Sequence, residues 1–487
     1  MRIVLDMQGA QTQSRLRGIG RYTLAFARAV VEECGDHEVH LVLNGLLNDS
    51  IESIREAFED ILPADRIHVW NAPGPVQLIH IENAARLAAA EVLREAFIQR
   101  LQPDVIHITS LFEGYVGDAV TSVGEYDQRT PVSITLYDLI PLLNRDEYLS
   151  DNPRYEAYYM SKVECLKKAA INLAISDFSR AEAAELLGIE SQFITNKSSA
   201  AEPHFRPMVY EESWIDQTLS RYGISRPFIL YTGGSDTRKN LVRLIRAYQQ
   251  LPKSEHQRTQ LVFAGRMSLD FLHEVKSLRR ADDQLVFTDF IAEEDLVALY
   301  NLCECFVFPS WHEGFGLPVL EAMSCGAVVV AANAASVPEV LGESEALFDP
   351  FDVNDMSSKL WSALCDETFR ERMRDHALRQ SKQFSWTSTA RAAISSWEAV
   401  VNEKGGSEGR AAGSRNMDQK VEGGAVSRQP DACDEDVLAV IEALRERALL
   451  PLEDEALLEL AEALYSNQLP TELTSDAHGV PVDESDA

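Results

Sequence analysis

Long apolar runs, paired cysteines and a surplus of basic residues are all missing from this 487-residue chain. No stretch approaches the roughly 18 consecutive apolar residues that a membrane-spanning helix requires, so the chain is expected to be soluble, or to sit on a membrane surface at most. The opening MRIVLDMQGA has only three apolar residues in a row before Asp6, and reads as a buried strand, with no secretory leader pattern. The seven cysteines are Cys34, Cys165, Cys303, Cys305, Cys325, Cys365 and Cys433. They include no Cys-x-x-Cys pair and no Cys/His cluster with metal-ligand spacing, a usage that fits a reducing cytoplasm. Cys303 and Cys305 flank one residue at the start of an apolar run and belong in or near a core. Basic residues number 45 against 77 acidic ones, for a formal charge of −32. A protein whose main task is to coat nucleic acid needs a basic footprint, and that class is excluded. The acidity favours solubility and still leaves room for a local basic pocket holding a small phosphorylated ligand.

What is present is a repeated alternation of strands and helices. RIVLDM (2–7), EVHLVLN (38–44), PDVIHITS (103–110) and PVSITLYD (131–138) are continuous β-rich runs. Between them lie the helical stretches 21–33 and 82–101, and a further helix and the strand INLAIS extend the pattern to about residue 176. Apolar strands separated by helices indicate a parallel sheet covered on both faces. The same grammar restarts at PFILYTGG (227–234) and continues through QLVFAG (260–265), QLVFTDF (284–290), CFVFPS (305–310) and AVVVAA (327–332). The fold class is therefore α/β, with two tandem doubly wound, Rossmann-like domains facing a cleft, where ligands bind at strand C-termini. We expect domains over 1–205 and 206–385, and a terminal helix over 386–403 that returns to the first domain, with Trp386 and Trp397 as packing anchors. Residues 404–430 are nearly devoid of large apolar side chains and read as a disordered linker. Residues 431–487 carry 16 acidic residues and two arginines and read as an acidic two-helix tail.

Two stretches carry chemistry. In YTGGSDTRKNL (231–241) a strand ends, Gly233 and Gly234 turn the chain, and Arg238 and Lys239 stand just before a helix. Glycine permits close backbone approach, helix N-termini favour anions, and the two cations add positive charge. This is a phosphate site without a nucleotide-binding consensus; a plain βα turn with solvated basic residues is the alternative. In PSWHEGFGLPVLEAM (309–323), Glu313 lies in the loop after a strand, and Glu321 one turn into the helix that Pro318 begins. The Gly314–Leu317 backbone can present N–H groups to an anion. A glycosidase-type carboxylate pair sits roughly 5 to 9.5 Å apart, whereas eight residues of helix span about 12 Å. Two separate hydroxyl-binding carboxylates with a diphosphate between them fit better.

HEGFGLPVLEAMSCGAVVVAANAASVPEV resembles the Glu-x7-Glu signature of the family 4 retaining glycosyltransferases, which use nucleotide sugars and have the GT-B fold. GIGRY resembles that family's N-terminal glycine-rich loop, AISDFSR a segment late in its first domain, and RKNL its diphosphate-binding Arg-Lys. The resemblance covers residues 1–402 and is closest to bacterial O-antigen and polysaccharide mannosyltransferases, several of which string such domains together. It implies that Arg238 and Lys239 hold the donor diphosphate, that Glu321 binds ribose hydroxyls, and that Glu313 contacts the donor sugar. It further implies that the amides of Phe315, Gly316 and Leu317 line the sugar and phosphate pocket. Gly18 and Gly20 would close over the donor, and backbone near Gly265 and Ile291 would meet the base. No metal or other cofactor is expected, because Arg238 and Lys239 take the place of the cation.

One position departs from the family pattern: Tyr137 stands where many members have histidine, while Asp138 is kept. With a reference pKa near 10, a tyrosine is a poor base, though its hydroxyl still forms hydrogen bonds. The implied activity is transfer of a hexose, mannose from GDP-mannose, to a glycan or lipid-linked glycan in lipopolysaccharide O-antigen or other polysaccharide synthesis. The implied location is the cytoplasm, with a peripheral contact on the inner membrane face and with other polysaccharide-assembly proteins. The alternatives are a sugar-phosphate synthase on the same scaffold and a donor-binding or scaffold subunit without turnover. No lysine lies in the glycine-rich setting that would anchor the pyridoxal cofactor of a phosphorylase.

Overall fold

The computed structural model describes residues 1–413 apart from Arg17 and Arg226, together with Ala443. The first sheet is built from β1 (Arg2–Asp6), β2 (Glu38–Asn44), β3 (Ile67–Trp70), β4 (Val105–Ile108), β5 (Val132–Leu136), β6 (Ile171–Ala174) and β7 (Ile194–Asn196). Its order is β3-β2-β1-β4-β5-β6-β7. The second sheet contains β8 (Phe228–Thr232), β9 (Gln260–Ala264), β10 (Leu285–Phe287), β11 (Cys305–Phe308), β12 (Val329–Ala332) and β13 (Leu347–Phe348), in the order β10-β9-β8-β11-β12-β13. The registered pairs run parallel, among them β1 with β2 and β4, and β8 with β9 and β11. The central strands are buried along their length, as β8 and β11 illustrate, because helices cover both faces of a parallel sheet. Cys303 and Cys305 are buried as expected.

In each sheet the strand order reverses once: between β1 and β4 in the first, between β8 and β11 in the second. At such a switch point the loops leaving the two neighbouring strands diverge and leave a crevice at their C-terminal ends. The loops after β8 and β11 are the two stretches singled out above.

The first sheet ends at Asn196 and the second begins at Phe228, but packing does not divide the chain at residue 205. One compact unit comprises Met1–Thr135, Arg145–Leu173 and the chain from Ala393 onward, and the other comprises Leu136–Asn144 and Ala174–Ala392. The helix Asp177–Leu187, which follows β6, thus belongs to the second unit. In the first unit, Trp397 is fully buried against the rings of Phe26 and His107, at centroid distances of 6.4 and 5.3 Å. His107 is a satisfied core residue, its two ring nitrogens 3.0 and 2.9 Å from the hydroxyls of Ser133 and Thr135.

Two expectations are corrected here. The terminal helix runs Trp386–Gly413, so the first residues of the expected linker are helical; once a helix exists, each further residue adds a hydrogen bond without a new nucleus. Gly18 and Gly20 do not form a loop but open the helix Gly18–Glu33. A Cβ on Gly20 would lie 2.2 Å from the Arg15 Cα, whereas one on Gly18 would meet nothing within 4 Å. Gly20 therefore has a packing reason of its own and Gly18 has none. The rest of the expected linker and nearly all of the acidic tail lie outside the described residues. Among the described residues, no helix is long and apolar enough to cross a membrane.

Candidate functional site

The second unit assembles the site from the loops after β8 and β11. After β8, the buried Tyr231 donates its hydroxyl hydrogen bond to the Gly234 carbonyl at 2.6 Å and fixes the glycine turn. Asp236 caps the short turn Thr237–Lys239, accepting from the Arg238 amide. Asn240 adopts a left-handed conformation (φ 61°), and its side-chain amide donates to the carbonyls of Pro309 (3.1 Å) and Pro350 (2.6 Å). The Trp311 amide donates to the Arg238 carbonyl at 3.0 Å. These bonds lash the β8 loop to the β11 loop, which is why Arg238 and Lys239 meet Glu313 across more than seventy residues of sequence.

Glu313 accepts from Lys239 Nζ on Oε1 at 2.6 Å and pairs with Arg238 Nη1 through Oε2 at 2.9 Å. Burial would raise the Glu313 carboxyl, but Lys239 and Arg238 outweigh it and hold the group below the usual carboxylate range. The pair contributes above the unfolded carboxyl's titration and is lost only as pH falls through the lowered folded value. Burial alone would lower the Arg238 guanidinium; Glu313, Asp236 and Asp138 more than offset this and keep it charged. Asp138 reaches the same cluster, and burial pushes its carboxyl up against the pull of Arg238 and of the Ile140 amide. Glu313, Asp236 and Asp138 thus converge on the two cations, with Glu313 alone bridging both.

Beyond Glu313 the chain turns through Gly316, at φ 101°, into the helix Leu317–Ser324. Gly314 is forced by contact: a Cβ there would sit 2.3 Å from the Tyr137 carbonyl oxygen. Phe315 buries its ring edge-on to Phe384 (5.7 Å) and leaves only backbone for a ligand. Among the described residues, the N–H groups of Phe315, Gly316 and Leu317 donate to no protein acceptor, the usual state of a first helical turn. Glu321, buried in that helix, accepts from the Tyr300 hydroxyl at 3.0 Å, which lies 3.0 Å from the Thr232 hydroxyl. The two glutamates are thus engaged by different partners. Gly265 (φ 131°) bridges to Asp289 and packs so tightly that a Cβ would lie 2.5 Å from the Gly233 carbonyl. Ile291 is half-buried nearby in the chain. Gly18 and Gly20 belong to the first unit.

Several site residues escaped the sequence reading. Tyr300 and Thr232 support Glu321; Ser336 donates to the Glu313 carbonyl at 2.9 Å; and Ser176, Ser179 and Glu182 contact the 312–314 loop. Only Ser176 and Ser179 left a signal, a serine at a helix start with a second serine three residues on. His312 is buried against Glu182, Nε2 to Oε1 at 2.9 Å.

Two parallel Rossmann-like sheets, with cations and a helix start converging at the switch point of the second, define the architecture of GT-B transferases. HepE from Anabaena, solved in complex with UDP and glucose, has this fold with a TM-score of 0.59 at 17% identity, covering 82% of this chain and all of that one. WaaG, a glycosyltransferase involved in lipopolysaccharide biosynthesis, superposes with a TM-score of 0.55 at 14% identity, over 80% of this chain and 98% of the other. Residues 221–380 match the family described as glycosyl transferases group 1, and residues 17–195 match the glycosyl transferase 4-like domain. The chain belongs to this glycosyltransferase family. The serotype-specific mannosyltransferase WbdA of Escherichia coli is 37% identical over 432 residues, 87% of this chain and 51% of WbdA. The O-antigen chain mannosyltransferase B of Escherichia coli is 33% identical over 273 residues, 55% of this chain and 70% of that protein. The chain spans about half the length of WbdA.

Proposed function

We propose that this chain is a retaining mannosyltransferase that moves mannose from GDP-mannose to a growing O-antigen or similar polysaccharide without a metal ion. The observation that carries the reading is the pairing of Arg238 and Lys239 with Glu313 beside the Phe315–Leu317 amides. As the bond between the sugar and the diphosphate breaks, charge grows on the diphosphate, and preplaced cations and N–H donors lower that barrier. A bound diphosphate competes with Glu313 for both cations, and the released carboxylate becomes available to sugar hydroxyls. Glu321 accepts ribose hydroxyls, Asp138 faces the sugar, and backbone around Gly265 and Ile291 receives the base. For Gly18 and Gly20 the role rests on the resemblance of GIGRY alone. The names of the curated relatives support mannose as the sugar, and the UDP held by HepE supports a nucleotide donor.

The acceptor glycan is assigned to the switch point of the first sheet. There the loop after β4 carries Phe112 and Tyr115, which form a ring cluster with Tyr155, Tyr158 and Tyr159. Tyr158 and Tyr159 are buried, while the half-buried Phe112, Tyr115 and Tyr155 offer electron-rich faces to the C–H faces of a pyranose, and Glu113 adds a half-buried carboxylate for hydroxyls. The acceptor is lipid-linked and the protein works at the inner membrane face, where its acidic balance gives no electrostatic help.

Thermal denaturation with GDP, UDP, ADP and dTDP in EDTA tests the donor assignment. A ligand at 100 times its Kd stabilises by about 2.7 kcal/mol, and we expect that shift with GDP. A shift with UDP instead would retain the mechanism and discard mannose. No shift with any nucleotide would favour the subunit without turnover, and turnover on sugar phosphates the synthase.

A further inference from the structure

We infer that the helix Asp177–Leu187 is a strut that sets the peptide orientation of the His312–Leu317 loop, with Ser179 and Glu182 as positioning residues for the donor diphosphate. The inference deepens the proposed function and rests on it for the identity of the ligand; the geometry stands apart from it.

Three successive carbonyls in the loop are tied down. Arg238 Nη1 donates to the His312 carbonyl at 3.0 Å, and Ser336 Oγ to the Glu313 carbonyl at 2.9 Å. The Gly314 carbonyl accepts from Ser176 Oγ at 2.7 Å and from Ser179 Oγ at 3.0 Å. A trans peptide is planar, with its C=O and N–H pointing in opposite directions. Pinning the Gly314 oxygen therefore aims the Phe315 N–H away from the strut, and the Phe315 amide is one of the donors assigned to the donor-sugar pocket. A flip of this one peptide would replace that N–H with a carbonyl oxygen, which repels a diphosphate.

The strut is itself held at both ends of its contact. Ser176 caps the helix by accepting from the Ser179 amide at 2.9 Å while its own proton goes to Gly314. The Glu339 carboxylate accepts from the Asp177 amide at 3.0 Å, and Glu339 lies in the short helix Val337–Leu341, directly after Ser336. Loop, strut and Ser336–Glu339 segment thus close a ring of hydrogen bonds. One turn along the strut, Glu182 holds His312 at 2.9 Å, with the Phe178 ring edge-on to the imidazole at 5.8 Å. Ser179 also lies 3.0 Å from the Tyr137 carbonyl, the atom that a side chain at 314 would strike. No residue of the strut needs to touch the ligand; each acts through the loop.

Hydrogen exchange and calorimetry on the full chain test this with Ser179→Ala, Glu182→Ala and the conservative Glu182→Gln. In both alanine variants, exchange of the Trp311 and Val319 amides, which donate to the Arg238 and Gly316 carbonyls at either end of the loop, is expected to rise and affinity for GDP or UDP to fall, each by about tenfold, the scale of one lost hydrogen bond. Glu182→Gln keeps an acceptor for His312 and should stay within about threefold of wild type. Unchanged exchange in both alanine variants would overturn the strut. Faster exchange with unchanged nucleotide affinity would leave it a packing element and overturn the positioning role. Faster exchange in a protein whose wild type binds neither nucleotide would uphold the strut and remove the transferase reading instead.

Discussion

Lys239→Ala is expected to lower sugar transfer by about 10²- to 10³-fold, the usual result of removing one preplaced donor at a developing negative charge. The protein should stay folded. Lys239 Nζ is 2.6 Å from Glu313, yet that carboxylate keeps Arg238 at 2.9 Å, so the substitution does not strand a buried charge without a partner. The stability loss should stay near 1 kcal/mol, well short of the 3–5 kcal/mol typical when a buried pair is fully broken. Arg238→Ala differs, since Arg238 also holds the His312 carbonyl and pairs with Asp236. Steady-state kinetics beside a melting curve separate the two effects. Wild-type turnover in folded Lys239→Ala would remove Lys239 from the mechanism.

Gly314→Ala should be strongly damaging for a single added methyl group. Its Cβ would stand 2.3 Å from the Tyr137 carbonyl oxygen and 3.2 Å from Asp138 Cβ. Both neighbours are backbone or the root of a side chain, so neither can swing away. Overpacking of this kind costs about 1–3 kcal/mol, and the relief available is movement of the loop, which carries Glu313 off its two cations. We expect a melting temperature lower by several degrees, roughly 2–4 °C per kcal/mol at this size, with transfer reduced by at least about 10²-fold. Gly18→Ala makes a useful contrast, since an added Cβ there meets nothing within 4 Å. An unchanged melting curve and rate for Gly314→Ala would mean that the loop does not depend on the close approach.

Much of the fold was legible because the central strands are uninterrupted apolar runs. EVHLVLN, PFILYTGG and CFVFPS mark β2, β8 and β11 to within two residues at either end. The strands that went unread, β3, β7 and β13, are four, three and two residues long and all lie at sheet edges. There burial on one side alone leaves too little apolar continuity to see. Arg238, Lys239, Glu313 and Glu321 stood out in the sequence as separate signals. Their partners did not, because the Lys239–Glu313 contact and the Tyr300–Glu321 bond are products of strand order. Helix Asp177–Leu187 is the clearest case: its sequence announces a capped helix, and nothing local says that it packs with the second unit. Gly20 reads alike from sequence for a ligand contact or for packing, and the 2.2 Å approach to Arg15 supplies the packing reason.

We propose metal-free, retaining mannosyl transfer at the Arg238–Lys239–Glu313 site. Its most direct test incubates the wild-type protein with GDP-mannose and a short mannose oligosaccharide in EDTA, then reads the new glycosidic linkage by NMR. An extended oligosaccharide whose new linkage keeps the α configuration of the donor is expected. A β-linked product, or transfer that appears only when a divalent cation is restored, would contradict it.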